Sequence, residues 1–304
     1  MPPLPLATSP EVAEALAAGR PVVALESTII SHGLPRPGNL EAAREFEQIL
    51  RDAEVTPATV AVLDGELKAG LTDAELQRIA AEDVPKLSVR DLPVALARGG
   101  SGATTVAATS WIADRAGIRV FATGGLGGVH RGAAETFDES ADLTVLGQVP
   151  ITVVSAGVKS ILDIAATLER LETLGVIVLG YGTDDFPSFW LTASGHALDW
   201  SVHDAFGVAA VMGSRDALGQ SSGIVVANPL PVERQLDPQV HDAALDQALQ
   251  EASAAGLSGK EVTPFLLQRI VELTDGESLR VNLDIARNNI AVAARIARAW
   301  AEVA

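Results

Sequence analysis

The chain has 304 residues, 48% of them hydrophobic but only 4% aromatic, and a formal net charge of −17. That charge argues against a nucleic-acid or anionic-membrane surface, while leaving room for a local basic pocket that holds one phosphate. The absence of cysteine removes disulfides and thiolate metal sites, and no uninterrupted apolar run of about 18 residues is available to span a membrane.

The N-terminal stretch MPPLPLATSPEVAEALAAG has no basic region ahead of an apolar core, so a soluble, cytoplasmic protein without a secretory signal is expected. Residues 1–8 are Pro-rich and predict a loose arm, after which Ser9-Pro10-Glu11 opens a short helix with Ser9 as N-cap. The apolar strand Pro21 to Leu25 runs straight into Glu26-Ser27-Thr28. A carboxylate closing such a strand is either a capped or paired acid or a functional one. A Gly/Pro loop carrying His32 follows, then a helix whose cap is Asn39. Asp64-Gly65 between two strand patterns signals a hairpin, and Thr72 with Glu75 forms a capping-box pair. In VPKLSVRDLP the strand alternation places Lys86, Ser88 and Arg90 on one face, which suits a solvated edge or an anion pocket. SGATTVAATSW then opens a helix whose first turn, rich in Gly, Ser and Thr, suits either a phosphate or plain capping.

Ile118 to Ala122 reads as a strand and gives way to TGGLGGVHRG, with five glycines between Gly124 and Gly132 and His130 among them. Such a loop lets backbone amides approach a ligand closely, but it is neither a dinucleotide fingerprint nor a Walker loop. TFDESADL offers Asp138, Glu139, Ser140 and Asp142, oxygen donors that suit a hard divalent cation or the start of a capped helix. Ile151 to Gly175 then predicts a buried strand, a Ser-Ala-Gly corner, and a helix running from Ser160 with apolar Ile161, Leu162, Ile164, Leu168 and Leu171. Lys159 stands at that corner, where open α/β sheets bind ligands. Only four of the 22 basic residues are Lys, so one kept at a strand end is a candidate amine nucleophile, a role closed to Arg; a snorkelling surface lysine is the alternative. Another strand, VIVLGYG, leads into an aromatic-rich lid or interface segment from Tyr181 to Trp200. Helices are expected at 205–218, 240–256, 263–274 and 277–303, the last carrying a polar section at Asn282, Asp284, Arg287, Asn288 and Asn289 that suggests a face turned toward a site. Nothing marks a linker, so residues 1–304 are read as a single α/β domain.

Taken together, VALESTIISHGLP, VPKLSVRDLP, GATTVAAT, FATGGLGGVHRGA, TFDESADL, SAGVKSILD, VVANP and TPFLL resemble the pseudouridine-5'-phosphate glycosidase family from about Ser9 to the last helix. The resemblance implies a three-layer α/β/α fold with a mixed, mostly parallel sheet, assembled as a homotrimer. It implies cleavage of the C–C glycosidic bond of pseudouridine 5'-phosphate to uracil and ribose 5-phosphate, with Mn²⁺ present. In that family pattern Lys159 is the nucleophile, Glu26 the proton donor and Asp138 the metal carboxylate. Lys86, Val106, Ser140, Ala141 and Asp142 stand at substrate-contacting positions, and His130 and Asn282 match further active-site positions. Because the leaving atom is a carbon that departs with its bonding pair, C1' needs an electron donor. An amine that opens the ribose ring, with Glu26 protonating the ring oxygen, supplies it by forming an iminium at C1', and water then frees the sugar. One segment departs from the pattern: Gly182 stands where Gln is expected, and FWLTASGHALDW replaces a more basic stretch. Relatives that use the same chemistry on other aromatic acceptors make a C-ribosyl lyase or synthase the second reading.

Overall fold

Runs such as Val22–Leu25, Thr152–Ser155 and Ile224–Ala227 are buried at every residue, as strands in a parallel sheet covered on both faces must be. The computed structural model describes residues 5–257 and 262–304, and its strands join in one eleven-stranded sheet. These are β1 (Leu6–Thr8), β2 (Val22–Leu25), β3 (Thr56–Leu63), β4 (Glu66–Ala69), β5 (Lys86–Leu87), β6 (Gly102–Thr104), β7 (Val120–Ala122), β8 (Thr152–Ser155), β9 (Ile177–Tyr181), β10 (Ser201–Val202) and β11 (Ile224–Ala227). The helices are α1 (Pro10–Ala17), α2 (Gly38–Asp52), α3 (Asp73–Ala81), α4 (Leu92–Ala97), α5 (Val106–Arg115), α6 (Ala133–Thr136), α7 (Ala141–Leu146), α8 (Ile164–Thr173), α9 (Ala205–Ala217), α10 (Pro238–Ala254), α11 (Val262–Leu273) and α12 (Glu277–Val303).

The strand order is β1-β4-β3-β2-β7-β8-β11-β9-β10, with β6 also pairing β3 and β5 pairing β6. Every pairing from β3 to β10 along this path is parallel, and the antiparallel pairings are β3 with β4 and β3 with β6. Strand alternation divides the core. Ala24, Phe121, Val153 and Val225 face one layer, built on α1, α5, α7, α8, α10 and α11. Leu25, Ala122, Val154 and Val226 face the other, built on α2, α9 and most of α12. The result is the three-layer α/β/α arrangement with a mixed, mostly parallel sheet in a single domain.

Local signals behave as their chemistry requires in several places. The Ser9 side chain accepts from Val12 N, Thr72 and Glu75 close a reciprocal capping box, and Asp64 and Gly65 adopt positive φ of 51° and 78° in the β3–β4 hairpin. Four expectations are corrected. Leu6–Thr8, placed in a loose arm, is a strand paired in parallel with Leu67–Ala69; residues 1–4 of that arm lie outside the described residues. Asn39 does not cap a helix: it is buried and donates to the carbonyls of Ile30 and Ala80, both at 2.9 Å, tying two segments together. Lys86, Ser88 and Arg90 share no strand face, because β5 ends at Leu87 and Ser88 caps a turn of 3₁₀ helix over Val89–Asp91. The helix after β8 starts at Ile164, capped by Asp163, rather than at Ser160. Residues 157–163 instead run beside the glycine loop, with Leu126 bridged to Val158 and Val129 to Asp163.

Candidate active site

Parallel strands release their chains at one edge of the sheet, and a crevice there is where such folds take ligands. Glu26 follows β2, Thr123 and the glycine loop follow β7, the Lys159 corner follows β8, and Asn228 follows β11. Two elements brace this edge. From α12, Asn289 donates to the carbonyls of Thr123 (2.7 Å) and Gly124 (3.2 Å) and accepts from Asn228 at 2.8 Å. From α7, the Asp142 carboxylate accepts from Ala107 N at the start of α5 and from Gly127 N in the glycine loop, each at 2.9 Å. With Asp142 buried, those two N–H groups would otherwise lack an acceptor, a loss of roughly 1–3 kcal/mol each.

Lys159 and Glu26 stand half-buried on the floor of the crevice. Lys159 Nζ donates to the Gly125 carbonyl at 2.7 Å, and Glu26 accepts from the Thr123 hydroxyl. Burial pushes the Glu26 carboxyl above its ordinary range, against the opposing pull of Lys159, Thr123 and Lys86. Burial likewise pushes the Lys159 amine below its ordinary range; Lys86 adds to this, while Glu26 and Asp142 oppose it. Both groups are therefore driven toward their uncharged forms, an amine able to attack and an acid able to give a proton. Behind Glu26 a cavity of about 20 Å³, closed by Phe46, Ala286 and Ile290, has room for about one water molecule.

The remaining sequence candidates surround this floor in two groups. Lys86 is exposed on β5 and close enough to act electrostatically on Glu26, Lys159 and His32. Asn282 faces the glycine loop from α12, its side-chain oxygen 3.5 Å from where a Cβ on Gly124 would stand. Val106 is buried at the first position of α5, Ser140 caps α7 by accepting from Asp142 N, and Ala141 begins that helix. His130 lies in the glycine loop with Nδ1 3.9 Å from Asp138 Oδ2. Among the described residues no group of three or more His, Asp or Glu converges. Asp138 thus offers one carboxylate, 34% exposed, which fits a hard cation that keeps most of its water and does not fit an all-protein cage. Asp284 and Arg287, expected to turn toward the site with the asparagines of α12, instead join an ion-pair chain with Arg280 and Glu45.

Two residues of the floor had no assignment from sequence. Thr123 was visible only as the last residue before the glycines. Phe189 was one aromatic among several in the lid segment, yet it is buried against Gly125 with Lys159 Nζ 5.9 Å from its ring centroid.

A lysine and a carboxylic acid, each shifted by burial toward its uncharged form at the carboxyl edge of a parallel sheet, are the mark of an α/β enzyme. The sequence signature described as indigoidine synthase A like protein matches residues 11–299, and the chain belongs to this family. Relatives named pseudouridine-5'-phosphate glycosidase include one from Frankia alni, 60% identical over 297 residues (97% of this chain, 82% of the relative). Another, from Saccharopolyspora erythraea, is 58% identical over 294 residues (96% and 97%). Among solved structures, the prealnumycin C-glycosynthase AlnA in complex with ribulose 5-phosphate superposes with a TM-score of 0.92 at 37% identity, covering 99% of each chain. An indigoidine synthase A-like protein from Thermotoga maritima gives 0.87 at 35% identity, covering 97% of this chain and 96% of the other.

Proposed function

We propose that the chain is a pseudouridine-5'-phosphate glycosidase that breaks the C1'–C5 bond to give uracil and ribose 5-phosphate, with Lys159 as nucleophile and Glu26 as proton donor. The observation that carries this assignment is the pairing of Glu26 and Lys159, both pushed by burial toward their neutral forms. The names of relatives at 56–60% identity support the substrate. In the reaction, the Lys159 nitrogen bonds to C1' while the C1'–O4' bond breaks and O4' takes the proton of Glu26. The ammonium so formed returns a proton to the Glu26 carboxylate, and a proton passed from Glu26 to C5 of the base lets the C1'–C5 electron pair fall back into the uracil ring. The nitrogen lone pair then forms C1'=N, and water hydrolyses that iminium to release the sugar aldehyde and the amine.

Around that chemistry, Lys86 supplies positive charge for the phosphate, and Val106, Ser140, Ala141 and Asp142 shape its site with the glycine loop. His130 and Asn282 are assigned to the base and sugar. Asp138 is the carboxylate for one Mn²⁺, and the cation supplies charge neutralisation for the phosphate when bound. The reading includes a homotrimer and a cytoplasmic location, where a phosphorylated substrate is retained; among the described residues no helix is long and apolar enough to cross a membrane. Turnover of pseudouridine 5'-phosphate with and without Mn²⁺, together with borohydride trapping of ribose 5-phosphate, tests it. Uracil release and an adduct at Lys159, both lost in Lys159→Ala, are expected; failure of the wild type to release uracil overturns the assignment.

A second reading, a C-ribosyl lyase or synthase for another aromatic acceptor, is favoured by one observation. Gly182, at φ +65°, has no heavy atom within 4 Å of where its Cβ would stand, so the expected glutamine side chain is replaced by open space beside the site segment. A larger aromatic acceptor outcompeting uracil in the synthetic direction would favour that reading.

A further inference from the structure

Phe189 holds a backbone conformation that a bulky residue adopts only under constraint, φ +65°. The constraint is visible on every side. Its N–H donates to Ala156 O at 2.9 Å, just ahead of the Lys159 corner. Its ring stands edge-to-face on Trp190 with centroids 5.0 Å apart, and Trp190 is itself fixed by its Nε1 donating to Ser278 O at 3.1 Å. On the opposite side the ring lies against Gly125, where a Cβ would come within 2.5 Å of the ring carbons. The carbonyl of that same glycine takes the hydrogen bond of Lys159 Nζ. Gly125 therefore touches both ring and amine, while Nζ itself lies over the ring face, 5.9 Å from the centroid, and no larger residue fits at 125 without moving the ring.

We propose that Phe189 is a positioning residue for the lysine chemistry: its ring walls off water from Lys159 Nζ and presents a π face to the cation formed at that nitrogen. The inference rests on Lys159 being the nucleophile. An ammonium carries three donors and is strongly hydrated, yet among the described residues Nζ has one acceptor, Gly125 O. An aromatic face returns only about 0.5–2 kcal/mol to a cation within about 6 Å, which does not replace lost hydration. An iminium has fewer N–H groups and a more dispersed charge, so the same wall costs it less. The ring thus favours the free amine and the iminium over the ammonium. Burial already holds this amine below its ordinary range, with Glu26 at the end of β2, Lys86 on β5 and Asp142 on α7 as the charged groups that act on it.

The test is the pH dependence of cyanoborohydride trapping of ribose 5-phosphate at Lys159, mapped by peptide mass. Phe189→Ala should move the midpoint up by about one pH unit, a roughly tenfold loss of adduct below it, while Phe189→Leu, which keeps the apolar wall and removes only the π face, should not move it up. Gly125→Ala, whose Cβ would stand within 2.5 Å of the ring carbons and so displaces the ring while leaving Phe189 in the sequence, should reproduce the upward shift and stands in if Phe189→Ala does not fold. An unmoved midpoint in the folded Ala variant overturns the inference, and so does a Leu variant shifted as far as Ala. Absence of any Lys159 adduct in the wild type would instead break the assignment of the nucleophile, which separates the two failures.

Discussion

The floor and the rim of the crevice use charge in opposite ways. On the floor, Glu26 and Lys159 hang from the ends of central strands, and burial strips both toward neutrality. On the rim, Lys86 sits exposed on a two-residue strand, Asp138 is 34% exposed, and neighbouring Phe137 is 86% exposed. Groups that must exchange protons with a substrate need low hydration and a rigid frame, whereas groups that meet a phosphate or a cation need to keep their charge. The difference lies in which element carries each residue: continuous parallel strands for the floor, short turns and helix starts for the rim.

The sharpest way to break this contrast is to fix a permanent charge on the floor and remove the reactivity. Lys159→Arg places a cation that cannot lose its proton or attack a carbon, so turnover should fall by about 10⁴-fold or more and the borohydride adduct should vanish. Retention of even a tenth of wild-type activity would mean that the nucleophile lies elsewhere.

Glu26→Gln comes next, with an expected loss of about 10²–10⁴-fold from removal of the proposed proton donor. It also carries a stability signature whose sign follows from burial. The folded-state carboxyl titrates above its ordinary value, so its contribution is fully present below that value and fades as pH rises through the folded one. Lys159, held below its ordinary value, has the opposite slope: the folded state holds fewer protons, and stability rises with pH up to the ordinary lysine value. Chemical denaturation of Glu26→Gln across pH should therefore show the variant gaining on wild type as pH rises above the ordinary glutamate range. A constant difference at all pH values would contradict a Glu26 carboxyl raised above its ordinary range by burial.

At the rim the losses should be smaller and of another kind. Lys86→Ala removes an exposed charge that, in the proposed function, meets the phosphate in ground and transition state alike, so KM should rise about 10- to 100-fold with kcat changed far less. Raising ionic strength should mimic part of this effect in the wild type and none in the variant. A kcat collapse with unchanged KM would move Lys86 from the rim to the floor.

The floor was more legible in the sequence than the rim, for physical reasons. A five-residue apolar run, Pro21 to Leu25, that meets Glu26, and a Ser-Ala-Gly corner that leads to Lys159, announce strand ends because apolar runs must be buried and a polar group interrupts them. The alternation of VPKLSVR announced a strand face that does not exist, since Asp91 captures the Ser88 N–H at 2.9 Å and turns the chain first. Ser160 looked like a helix start because Ile161 and Leu162 continue the apolar pattern of α8, yet both are buried beside a loop that pairs with the glycines. Asp142 resembled a ligand for substrate, and its two oxygens are spent on backbone amides from distant segments, a partnership that no local pattern encodes. Phe189 and Gly125 are 64 residues apart in number and become one unit only in the fold.

The mildest test concerns Asp138, where the contrast between floor and rim makes a graded claim. Its carboxylate stands 3.9 Å from His130 Nδ1, and among the described residues no group of three or more His, Asp or Glu converges to hold a cation. A cation held through one carboxylate, water and the substrate phosphate binds weakly without substrate, so Asp138→Asn should raise the Mn²⁺ concentration needed for half-maximal turnover several-fold. Saturating Mn²⁺ should then recover most of kcat, because the reacting groups on the floor are untouched. Trapping of ribose 5-phosphate at Lys159 in the presence of chelator should persist in both proteins at reduced yield. If chelator abolishes the adduct in wild type even at high sugar phosphate, the cation reaches the floor, and the division of labour between the two regions fails at this residue.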